Sequence, residues 1–235
     1  MRQTVAPDVD RLRGVAAMLF DLDNTLFDRD MAVAHWAEEF IHSRLMIAQQ
    51  NQRDVALRFV LSLDDHGYGA KPAMFAAIKE AYPVVNDSVD HLVEDFYRTV
   101  PTYSSLDAGA AYLLDALEAA RMPFGIVTNG TAYQLETIRG LGLDARAACA
   151  VVSEVIGCRK PNPAIFLHAA ARLHVLPQAV LFVGDNAEAD MWGAYRVGMR
   201  TARLYRGQPW PAVLGDCCAD VTISSLRELL PIVGC

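Results

Sequence analysis

Two aspartates one residue apart, Asp21 and Asp23, close the apolar run "VAAMLFDLD". The run from Val15 to Phe20 has the length and composition of a strand buried on both faces. Such a strand delivers its carboxylates to the mouth of a sheet, where like charges repel unless a cation lies between them. A metal ion is the natural cation. Other chemically able residues stand in comparable places. Thr128, Asn129 and Gly130 end "PFGIVTNG", Asp185 ends "AVLFVGD" with Asp190 shortly after, and Lys160 precedes "PNPAIF".

Phosphoryl transfer asks for an in-line nucleophile, a metal to neutralise charge, donors for the equatorial oxygens and an acid for the leaving group. These residues meet that list. Mg²⁺ prefers hard oxygen ligands and keeps several waters, so two or three carboxylates and a carbonyl suffice. Asp21 can bind the metal through one oxygen and attack with the other. Asp23 can lend its backbone carbonyl to the metal and its side chain to the leaving group or the attacking water, while Asp185 completes the metal site. Thr128 offers a hydroxyl, the N–H groups around Asn129 and Gly130 suit an anionic oxygen at the head of the next helix, and Lys160 supplies a point charge for nucleophile and phosphate.

The elements that must bring these residues together are legible as strands alternating with helices. Besides the three runs already named, "ACAVVS" (148–153) and "RTARLY" (200–205) read as strands. Ala110, Leu113, Leu114 and Leu117 fall at helical spacing, as do Phe166, Ala169, Ala170 and Leu173. The pattern predicts an α/β fold with a doubly wound parallel sheet, whose ligands bind beyond the carboxyl ends of the strands. Residues 30–104 break that rhythm. Val33, Trp36, Ala37, Phe40 and Ile41 form one helical stripe, and Val89, Leu92, Val93, Phe96, Tyr97 and Val100 another, with Asn86 or Asp87 as the expected N-cap. An all-helical insertion is expected there, with "DDHGYGAKP" (64–72) as a solvated inner loop and Trp36 in its core. The sheet domain is then 1–29 with 105–235.

Length and composition agree with one core carrying an insertion. The chain has 235 residues, 53% of them hydrophobic, and a net charge of −7 without a Lys/Arg-rich run, which excludes the broad basic footprint of a nucleic-acid polymer binder. The five cysteines show no CxxC pair, arguing against a disulfide framework or a thiolate zinc site and for a reducing cytoplasm. The pair Cys217-Cys218 reads as structural or incidental, and the six histidines lack metal-ligand spacing. "MRQTVAPDVDRLRG" has no apolar h-region, so neither signal peptide nor membrane association is expected.

"DLDNT", "VTNG", "KP" and "GDNAEAD", in that order over nearly the whole chain, resemble the four motifs of the haloacid dehalogenase (HAD) superfamily. The resemblance implies a Rossmann-like core, a helical cap inserted after the first motif, Mg²⁺ dependence and an aspartyl-phosphate intermediate. It also implies Asp21 as nucleophile, Asp23 as general acid/base, Thr128 and Lys160 as phosphate and intermediate stabilisers, and Asp185 as metal ligand. Asp190 is read either as a residue supporting that site or as an ordinary charge at a helix N-terminus. "GAYRVGMRTARLY" and "ADVTISSLRELL" are similar to the last core units of the family. The sequence departs from the pattern at Ala189-Asp190, where relatives often have Asn-Asp, and at "YSSLDAG", where relatives often have a Pro-Gly turn.

The expected activity is a Mg²⁺-dependent phosphomonoesterase acting on a small phosphorylated metabolite, as a monomer or homodimer. A 2-haloacid dehalogenase is the nearest competitor, and Asp23, a second acid for which it has no use, argues against it. A sugar-phosphate mutase would need a cap group that shields the intermediate from water. A binding protein with a relict site is disfavoured by the intact series from Asp21 to Asp185.

Overall fold

The computed structural model describes residues 9–214 and 219–234; Cys217, Cys218 and Cys235, and residues 1–8 of the N-terminal stretch, lie outside them. Contacts divide the chain into two units. One comprises the chain to Phe27 together with the chain from Leu106, and the other is Asp28–Ser105.

The first unit is built on six parallel strands: β1 (Ala17–Phe20), β2 (Phe124–Thr128), β3 (Cys149–Val152), β4 (Val180–Gly184), β5 (Arg200–Leu204) and β6 (Val221–Ile223). Their spatial order is β3-β2-β1-β4-β5-β6. After β3 the chain returns past β1 to lay β4 on its other side, so the order reverses between β1 and β4. Adjacent crossovers diverge at that point and leave a crevice at the carboxyl ends. The register aligns the central strands there, with Phe20 beside Ile126 on one side and Val183 on the other.

Helices supply the apolar cover the strands require. Ala108–Ala119 buries Ala110, Leu113, Leu114 and Leu117, and Pro163–Arg172 buries Ile165, Phe166, Ala169 and Ala170. Phe166 meets Phe182 of β4 edge-on at 5.0 Å. Each fully buried Leu or Phe side chain contributes about 1.5–3 kcal/mol, so this stripe is a main reason the strands hold their register. In place of a Pro-Gly turn, Asp107 caps Ala108–Ala119, accepting from the N–H groups of Gly109 and Ala110. Among the described residues, no helix is long and apolar enough to cross a membrane.

The second unit is helical, and among the described residues it holds no strand. Its main helices are Arg29–Phe40, Gln50–Asp64, Lys71–Ala81 and Val89–Thr99. Trp36 centres its core, with ring contacts to Phe40 at 5.1 Å, Phe75 at 5.9 Å and Phe96 at 4.7 Å. Two local expectations are corrected here. The helix from Val89 is capped by Ser88, which accepts from the His91 N–H, rather than by Asn86 or Asp87; the Asp87 carboxylate is instead paired with Arg44 at 2.7 Å. The 64–72 stretch is also less solvated than its composition suggests. Asp64 accepts from both ends of the Arg29 guanidinium at 2.8 and 2.9 Å and from Lys71 at 2.7 Å, all three side chains being buried. Burial by itself would raise the pKa of Asp64, but Arg29 and Lys71 outweigh it and hold the carboxyl at about 2.

Candidate active site

Asp21 follows β1 directly, and its backbone N–H still bonds to Val183 of β4 at 2.9 Å. The ladder therefore fixes where the carboxylate leaves the sheet. Beyond it the chain turns sharply: Asn24 takes a positive φ of 58°, and the Leu26 N–H returns to Leu22. Such left-handed geometry suits asparagine better than most residues. Arg206, from the segment after β5, donates to the Asn24 carbonyl at 3.0 Å. Thr25 Oγ1 lies 3.4 Å from Asp21 Oδ2.

Lys160 reaches this point from 139 residues away and donates to Asp21 Oδ1 at 2.5 Å and to Asp190 Oδ1 at 2.6 Å. It is 3% exposed, so these carboxylates stand in for its lost hydration. Burial would depress its pKa; Asp190 and Asp21 more than reverse that and hold it well above the ordinary lysine value. The side chain of Asn129 fixes the approach of Lys160 by clasping its backbone: Nδ2 donates to the Lys160 carbonyl at 3.0 Å, and the Lys160 N–H donates to Oδ1 at 2.8 Å.

Asp185 follows β4, and Asp190 returns toward it in a wide helical turn, Ala187–Trp192, opened by Asn186. The Asn186 side chain accepts from the Glu188 and Ala189 N–H groups, and its backbone N–H donates to Asp190 Oδ2 at 3.0 Å. Gly184 makes room for this return, since a Cβ there would lie 2.3 Å from Asp190 Oδ2. Asp190 is 1% exposed and bonded directly to Lys160.

Asp21, Asp185 and Asp190 each offer an oxygen, all within 4.8 Å of one another. Three carboxylates face one ammonium. Burial, and then the charges of Asp21 and Asp190, push the pKa of Asp185 far above the usual carboxylate range. Burial likewise raises that of Asp190, although Lys160 opposes it. The donor set is hard oxygen and short of positive charge, which fits a divalent cation such as Mg²⁺.

Thr128 ends β2, buried at 1% exposure. Asp23 is partly buried, and its Oδ2 accepts from Gln134 Nε2 at 2.6 Å. The expectation that Gly130 gives its N–H to an anion is corrected: that N–H donates to Ser153 Oγ at 3.0 Å, and Ser153 Oγ donates back to the Gly130 carbonyl. The next helix, Gln134–Gly140, starts four residues later and does not present its head at Asn129.

Several supporting residues carry no signal in the sequence. Arg203 projects from β5 toward this edge, with Nε 3.4 Å from the Asp185 carbonyl and its guanidinium 5.2 Å from the Trp210 ring. Gln134 is likewise an ordinary polar residue until the tertiary structure gives it a partner, whereas Asn129, already a candidate in the sequence, turns its side chain to the Lys160 backbone.

A family model of haloacid dehalogenase-like hydrolases matches residues 15–198. The chain belongs to this family. It is 31% identical over 240 residues to the glyceraldehyde 3-phosphate phosphatase of Methanopyrus kandleri, covering 93% of this chain and 97% of that one. It is 31% identical over 221 residues to the N-acetylmuramic acid 6-phosphate phosphatase of Pseudomonas putida, covering 92% and 95%. The crystal structure of the HAD hydrolase YfnB from Bacillus subtilis superposes with a TM-score of 0.74 at 22% identity, covering 94% of this chain and 99% of that one, and so shares the fold. For a HAD-like hydrolase the six-stranded parallel sheet and the acidic cluster at its carboxyl edge are the relevant features.

Proposed function

We propose that this HAD-like hydrolase is a Mg²⁺-dependent phosphomonoesterase acting on a small phosphorylated metabolite. The observation that carries the reading is the Asp21 carboxylate at the carboxyl end of β1, held by Lys160 and clustered with Asp185 and Asp190. The relatives add support, being named as phosphatases of glyceraldehyde 3-phosphate and of N-acetylmuramic acid 6-phosphate. YfnB, similar in fold, is described as bound to magnesium.

In this reading Asp21, Asp185 and the backbone carbonyl of Asp23 hold the metal, while Asp190 secures Lys160. A bound Mg²⁺ supplies positive charge between the nucleophile and the incoming phosphate. An Asp21 oxygen attacks phosphorus, forming an aspartyl-phosphate as the ester P–O bond breaks. Asp23, protonated, gives its proton to the departing alkoxide and becomes a carboxylate. It then takes a proton from water; the resulting hydroxide attacks phosphorus, freeing inorganic phosphate and restoring Asp21. Thr128 Oγ1 and Lys160 Nζ donate to the phosphoryl oxygens, and Lys160 keeps the nucleophilic carboxylate aligned. The helical unit, residues 28–105, serves as the cap of the family, and free cysteines such as Cys158 are in keeping with a reducing cytoplasm.

The test is turnover of 4-nitrophenyl phosphate and a panel of small phosphate esters, with and without Mg²⁺. The wild type should hydrolyse several of them only with the metal. Asp21→Asn should abolish turnover while leaving the circular dichroism spectrum of the folded chain intact. Retained Mg²⁺-dependent turnover by that variant would refute the nucleophile assignment, and metal-independent halide release from a 2-haloacid would favour a dehalogenase.

A further inference from the structure

We infer that Gln134 is a positioning residue for the general acid, holding the Asp23 side chain against the end of β2. This rests on the phosphomonoesterase reading above and deepens it.

Gln134 opens a seven-residue helix after β2, where a glutamine would ordinarily extend into solvent. Its side chain instead folds back across the β2 end. Nε2 lies 2.6 Å from Asp23 Oδ2 and 3.5 Å from Thr128 Oγ1. Gly130 leaves the space for this fold-back: a Cβ there would stand 2.7 Å from Gln134 Cγ and 3.0 Å from Nε2. The geometry therefore depends on two residues that the four motifs do not explain by phosphate contact, since the Gly130 N–H is spent on Ser153.

The chemical consequence is one of orientation. The bond from Gln134 restrains the Asp23 carboxyl group beside the Thr128 hydroxyl. Removing the donor takes that restraint away. The loss should fall on the step in which Asp23 protonates the leaving group. An alkyl phosphate needs that proton, because its alkoxide is a poor leaving group. A 4-nitrophenyl ester does not, because 4-nitrophenolate departs unprotonated. General acid catalysis typically contributes about 10²–10⁴-fold, so loss of orientation alone should cost a fraction of it.

The experiment compares kcat/KM for an alkyl phosphate and for 4-nitrophenyl phosphate, with Mg²⁺, in the wild type, Asp23→Asn, Gln134→Leu and Gly130→Ala. kcat/KM reports the steps up to transfer of the phosphoryl group to Asp21. Gln134→Leu should lose about 10–100-fold on the alkyl ester and less than about threefold on the aryl ester. Gly130→Ala, which crowds Gln134 out of its fold-back without touching its amide, should show the same selectivity at smaller size, and it carries the test if Gln134→Leu does not fold. Equal losses on both esters, or no loss, in the folded variant would overturn the inference. A selective loss in Asp23→Asn alongside uniform behaviour in the Gln134 variant would overturn it alone, leaving the phosphatase reading standing. A wild type that turns over neither ester would overturn both.

Discussion

Lys160→Met should be among the most costly single changes in the sheet unit, and its effect should depend on metal. Lys160 is 3% exposed and bonds at 2.5 and 2.6 Å to Asp21 and Asp190, themselves 7% and 1% exposed. Methionine keeps most of the volume and removes the charge together with its N–H donors. The two carboxylates, with Asp185 close by, then lose the ammonium bonded to them. Breaking a buried pair from one side costs about 3–5 kcal/mol. At roughly 2–4 °C per kcal/mol for a chain of this size, the melting temperature should fall by about 6–20 °C in metal-free buffer. Added Mg²⁺ should recover part of that loss, raising the variant's melting temperature more than the wild type's, because the ion neutralises the same oxygens. Turnover should stay at least about 10²-fold down even with saturating metal, since the donor shared by Asp21 and the phosphate is gone. Differential scanning calorimetry with and without Mg²⁺, alongside phosphatase assays, reads all three effects. A metal-free melting temperature within about 1 °C of wild type would show that the carboxylates do not rely on Lys160, and the electrostatic account of the cluster would fall.

Two further outcomes are expected. Asp185→Ala should chiefly raise the Mg²⁺ concentration needed for half-maximal activity, by about tenfold or more; a metal titration curve that overlays the wild type's would remove Asp185 from the site. In the helical unit, Arg29 and Lys71 outweigh burial and hold the Asp64 carboxyl at about 2, below the ordinary aspartate value of 3.8, so folding favours its charged form by about 2 kcal/mol. Because the folded pKa is depressed, this stability is fully present above about pH 4 and is lost as pH falls through about 2. Urea denaturation of wild type and Asp64→Asn between pH 5 and 2 should therefore converge toward the acid end, and a constant gap across that range would contradict the assignment.

By itself the sequence determined which residues stand at strand ends. The apolar runs closing in Asp21, Thr128 and Asp185 are short and bounded by polar residues, and burial on both faces of a parallel sheet demands such runs. The helical stripes followed for the same reason: Leu113, Leu114 and Leu117 recur at the period that turns one face to the core. Only the tertiary structure decided which polar groups meet. Lys160 finds Asp21 because Asn129 clasps its backbone, Asp190 reaches it because Gly184 has no Cβ, and Gln134 crosses to Asp23 over Gly130. Each of these pairings joins residues by register and loop path, which periodicity does not encode. The same reason moved the cap from Asp87 to Ser88 and buried Lys71 with Asp64. A polar side chain on its own is satisfied equally well by water or by a partner, and the chain's path through space makes the choice.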